Sequence, residues 1–112
     1  MRQKINRFSV RIHEMAHYAD PSEEWEAACF SDFDTAREFA RRWTRHSLEE
    51  LRPNASSDKD LKDLWFLFGD DASVIGANEV YHGVNEIDFF ISHPASPDEV
   101  NWKELEIKDQ AS

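Results

Sequence analysis

Phe8, Val10 and Ile12 alternate with Arg7, Ser9, Arg11 and His13, the period of two that marks a strand with one buried face. The pattern predicts a first strand from about Phe8 to His17. Asp20-Pro21-Ser22 then breaks the chain, because proline fixes its own backbone and biases the preceding residue away from helix. Trp25 to Phe30 reads as a second strand, antiparallel to the first across a long loop.

The period changes at Thr35. Thr35-Ala36-Arg37-Glu38 has the spelling of a capping box, and Ala36, Phe39, Ala40, Trp43 and Ser47 follow at helical spacing until Pro53. This predicts a long helix laid across the hairpin with Phe39 and Trp43 toward the sheet. Ser57 and Asp60 mark a second helix start; Leu61, Leu64, Trp65 and Phe68 share one face, and Gly69 is placed as a left-handed terminator. Val74-Ile75 and then Glu86 to Ser92, with Ile87, Phe89 and Ile91, read as extended. Ser96-Pro97-Asp98-Glu99 begins a last short helix, expected to reach about Leu105. The sum is a single α+β domain over residues 1–112: a small antiparallel sheet covered on one face by one long helix, with two shorter helices.

Within the first strand the letters His13-Glu14-Met15-Ala16-His17 spell His-Glu-x-x-His, a zinc-hydrolase motif. That chemistry needs a helix, where histidines four apart stack closely enough to share one zinc at about 2.1 Å. Ile5, Phe8, Ile12, Met15, Ala16 and Ala19 do recur at helical spacing, so the period alone is ambiguous. The Phe/Val/Ile content, the missing N-cap before Arg7 and the stranding of Val10 favour a strand. Extended, His13 and His17 stand roughly 13 Å apart and cannot hold one ion. The expectation is therefore no metal and no cofactor, with zinc hydrolysis through His13, Glu14 and His17 as the alternative.

The segments FSVRIHEMAHYADPSEEWEAACFSDFDTAREFARR and LKDLWFLFGDD resemble a group of short bacterial proteins with no assigned activity. Members share an opening strand, a His-Tyr-x-Asp loop, a second strand, a Phe-x-Thr-x-x-Glu helix start and a Phe-Gly-Asp/Glu-Asp turn. Here these fall on Phe8, His17, Tyr18, Asp20, Phe33, Thr35, Glu38, Phe68, Gly69, Asp70 and Asp71. The resemblance implies the strand reading of His13 to His17 and, with no catalytic residues assigned to the group, implies no activity; it ends before Val74.

Charge narrows the partners. Twenty-three acids against 13 Lys and Arg give a net charge of -10, which repels nucleic acid and anionic membranes and attracts basic proteins. Arg37, Arg41 and Arg45 form a stripe on the first helix that could face nucleic acid, but Glu38 lies four before Arg42 and suggests a balanced surface. No apolar run is long enough for a bilayer and one cysteine, Cys29, cannot pair internally, so a cytoplasmic protein is expected. Tyr18, Asp20, Glu23, Glu24 and Trp25 gather acids and aromatics in the hairpin loop, and Asp70 with Asp71 adds acids on another turn. With no complete catalytic constellation visible, the expected function is a non-enzymatic binding module of inhibitor, immunity or adaptor type, engaging a basic protein through these residues.

Overall fold

The computed structural model describes residues 7–17, 20, 23–76 and 78–111. Its sheet has four antiparallel strands in the order β2-β1-β3-β4, with β1 Phe8–Glu14, β2 Trp25–Phe30, β3 Asp70–Ile75 and β4 Val80–His82. The expected alternation sets the faces: Val10 and Ile12 of β1 and Ala72 and Val74 of β3 are fully buried on one side. A register shift after Val10 sets Glu26 opposite Arg11 and Trp25 opposite Ile12. The first strand ends at Glu14 rather than His17; Met15–His17 form a 3-10 turn, tied down where the Met15 amide donates to the Gly69 carbonyl at 2.9 Å.

Helix α1, Phe33–Leu51, covers the apolar face of the sheet, with Ala36, Phe39 and Ala40 packed on Val10, Ile12, Phe30, Ala72 and Val74. It starts two residues before the expected cap, because Asp32 takes that role: its carboxylate accepts the Thr35 amide at 2.7 Å and the Thr35 hydroxyl at 2.8 Å. Glu38, freed from any capping box, pairs with Arg42 at 2.9 Å. Thr44, fully buried farther along α1, accepts the Ala72 amide at 3.2 Å, so helix and sheet are joined by a polar contact inside the core.

Helix α2, Asp58–Phe68, is capped by Ser57 as expected, the Asp60 amide donating to its hydroxyl at 3.1 Å. Gly69 does not end it with a left-handed turn; its φ is -82°. Glycine is required there for space, since a Cβ would collide with the Trp65 indole. Residues 86–92 are not a strand. After a 3-10 turn at Gly83–Glu86, Ile87–Ser92 form helix α3, burying Ile87, Phe90 and Ile91 at helical spacing. Alternation of Ile87, Phe89 and Ile91 was compatible with either period, and packing decided between them: Leu48, Leu61 and Trp65 supply a second apolar cluster that a helix can enter. The last expected helix is broken at Asn101, with a 3-10 turn at Pro97–Val100 and then α4, Trp102–Ala111. Its Trp102 ring lies 4.3 Å from Trp43, which is half-buried rather than fully interior, whereas Trp65 is wholly buried.

Candidate functional site

Strand alternation that sends apolar residues under α1 sends Ser9, Arg11 and His13 of β1 and Asp71 and Ser73 of β3 to the other face. Among the described residues no helix packs across that face as α1 does across its counterpart. At one end it deepens into a concavity of about 860 Å³. One side is polar, formed by His13, Glu24, Asp71, Ser73 and His82; the other is apolar, formed by Met15, Phe66 and Val84. Register explains the polar side, because His13 pairs with Asp71 across β1 and β3 and Ser73 pairs with His82 across β3 and β4.

Ser73 is nearly buried, and its hydroxyl lies 2.8 Å from His82 Nδ1. Asp71 Oδ1 accepts the Val84 amide at 2.9 Å, which fixes the carboxylate from the loop after β4. Burial pushes the Asp71 carboxyl above the ordinary aspartate value, opposed by the Val84 amide and by the charges of His82 and His13. Glu24 stands 3.7 Å from Arg11, with both side chains about a third exposed, so this pair is weak and solvent-screened.

The sequence candidates divide. Glu24 and Asp71 meet in the concavity. Asp70, the neighbour of Asp71, points the opposite way: its carboxylate accepts the Trp43 indole N–H at 3.0 Å on the α1 side. Burial raises its pKa as well, with the Trp43 hydrogen bond acting against the shift. Trp25 also belongs to that side, edge-on to Trp43 at 5.6 Å. Asp20 and Glu23 are exposed on the connecting loop, where the Glu23 amide donates to the Asp20 carbonyl at 3.0 Å. Tyr18, with Pro21 and Ser22 beside it, lies outside the described residues. Sequence reasoning missed His82 and Ser73 as members of the site: β4 has three residues and carries no readable period, and the extended stretch expected before it began only at Val74.

The zinc-hydrolase alternative loses its geometric premise. His13 is on β1 and His17 ends a 3-10 turn, so the two do not occupy successive turns of an α-helix. His17 instead faces Glu14 at 3.8 Å. Among the described residues no group of three His, Cys, Asp or Glu side chains is arranged to hold a metal ion.

Each arginine of the stripe has a neighbour within the protein. Arg37 lies 3.6 Å from Asp34, Arg41 lies 3.0 Å from Glu86, and Arg42 bonds Glu38 at 2.9 Å and Glu104 at 3.0 Å. Arg45 is buried, its guanidinium 4.7 Å from the Phe90 ring centre. Among the described residues no helix is long and apolar enough to cross a membrane. Comparison with protein-family models, with curated proteins and with solved structures yields no match.

Proposed function

We propose that the protein is a non-enzymatic binding module that engages a basic protein through the open face of its sheet. The observation that supports this is the chemistry of the concavity. Two acids, Glu24 and Asp71, enter it beside an apolar wall of Met15, Phe66 and Val84; among the described residues no lysine or arginine lines it, and Arg11 reaches Glu24 only at 3.7 Å. A net charge of -10 brings cationic partners to such a surface quickly, while the apolar wall supplies contact area once they arrive. Asp20 and Glu23, exposed on the adjoining loop, extend the same sign of charge beyond the concavity. The pairing of Arg37, Arg41 and Arg42 with acids of the protein itself favours this reading over nucleic acid.

Peptides of equal length, graded from neutral to rich in lysine and arginine, test this against the immobilised protein at two salt concentrations. Binding should rise with peptide charge and weaken with salt. Glu24→Lys should weaken it by about tenfold, whereas Asp98→Lys, the same charge change at an exposed position before α4, should act far less. Association indifferent to peptide charge, or equally sensitive to both reversals, would remove the open face from consideration.

A further inference from the structure

We infer that the concavity is a receptor for one lysine or arginine side chain of the incoming partner, whose charge meets Asp71 and whose aliphatic stem lies along Phe66. The inference rests on the proposed engagement of a basic protein and assigns that engagement a contact point.

Asp71 is held ready for such a contact. Val84 fixes one carboxylate oxygen through its amide at 2.9 Å, and β3 fixes the backbone. The carboxylate is partly withdrawn from water, yet among the described residues no lysine or arginine forms an ion pair with it. Burial disfavours an anion in that position, the Val84 amide and the neighbouring His82 and His13 offset this in part, and an arriving cation adds Coulomb attraction to theirs. Among the described residues, the titratable groups lining the concavity are the carboxylates of Glu24 and Asp71, which favour a cation, and the imidazoles of His13 and His82.

Other ligand classes fit less well. An anion would meet both carboxylates. A wholly apolar group would cover Asp71 without compensating it. A bare metal ion lacks three suitably placed donors among the described residues. Lysine and arginine combine the required parts, because their methylenes pack on apolar surface while the charged end reaches a polar one. Phe66, 40% exposed, can present its ring to either the methylenes or the cation. At about 860 Å³ the concavity exceeds one side chain, which leaves room for the flanking backbone of the partner segment.

Titration of the isotope-labelled protein with N-acetyl-lysinamide and N-acetyl-argininamide, followed by NMR, tests the inference directly. At least one probe should give saturating shifts at the amides of His13, Asp71, Ser73 and Val84, and N-acetyl-norleucinamide, which lacks the charge, should not. Asp71→Asn keeps an acceptor for Val84 and should weaken binding about tenfold; Phe66→Ala, at an exposed ring, should weaken it several-fold. An equal response to norleucinamide would redefine the concavity as an apolar site and overturn the inference. So would shifts that ignore Asp71→Asn. If graded peptides bind with the expected charge and salt dependence while neither amino-acid probe moves these amides, the binding module stands and its lysine or arginine receptor falls. If the peptides also fail, both fall together.

Discussion

The two faces of one sheet are built to opposite rules. Under α1, Val10, Ile12, Ala72 and Val74 are fully buried, Thr44 accepts the Ala72 amide, and Asp70, its pKa also raised by burial, accepts the Trp43 indole N–H. On the open face the intervening residues of the same strands are His13, Asp71 and Ser73, and the Asp71 carboxylate is held in a state that burial disfavours. Since side chains alternate, one register fixes both faces, and a slip by one residue would bring Asp71 into the core. Stability accounts for the covered face. The open face holds Asp71 through the Val84 amide and leaves it lining the concavity, where the proposed binding would use it.

The sharpest way to break the contrast lies beneath the helices. Trp65 is fully buried, with its indole N–H donating to Ser47 at 3.1 Å, while Phe66 next to it is exposed. Trp65→Ala should cost about 3–5 kcal/mol. Phe66→Ala should stay within about 0.5 kcal/mol of wild type. Chemical denaturation of the two variants measures both, and similar losses would show that the wall of the concavity is structural rather than available.

Thr44→Val probes the polar joint between α1 and β3. Valine preserves the volume but removes the acceptor for the Ala72 amide, leaving a buried donor unpaired at a cost of about 1–3 kcal/mol. Amide exchange at Ala72 should accelerate in the same variant. A neutral result would mean that the amide finds another acceptor and that the joint matters less than its geometry suggests.

Helix initiation gives a smaller effect and separates two readings of the same letters. Asp32→Ala removes the observed cap of α1 and should cost about 1 kcal/mol, whereas Thr35→Ala leaves the Asp32 bond to the residue 35 amide and should cost less. Thermal midpoints in the reverse order would restore Thr35 as the cap.

These contrasts also show what the sequence could express. Val10 and Ile12, Phe39 and Ala40, and Leu61 and Trp65 repeat with periods long enough to define one strand and two helices, and their burial follows. Ile87 to Ser92 is too short for its period to be unique, so only the cluster it enters selects a helix. The concavity is less legible still. His13, Asp71 and His82 are far apart in sequence and become neighbours only through pairing of β1, β3 and β4, of which β4 has three residues. Glu24 and Asp71 were visible as acids, but nothing local distinguishes Asp71 from Asp70; alternation along β3 sends one to the site and the other to Trp43.

Asp71→Asn should have the least effect on stability and is read by its sign. Burial raises the folded-state pKa of Asp71 above its unfolded value, so its favourable contribution is complete below the unfolded pKa and is lost as pH rises through the folded pKa. At neutral pH the ionised side chain therefore works against folding, and asparagine, which never ionises but still accepts from Val84, should relieve that penalty. The stability of the variant relative to wild type should increase from acid to neutral pH, measured by denaturation at matched ionic strength. Asp70 is also raised by burial but remains in both proteins, so its titration cancels in the difference. A variant that loses stability as pH rises would mean that the Asp71 anion is already compensated in the folded protein, and the open face would then be as self-sufficient as the covered one.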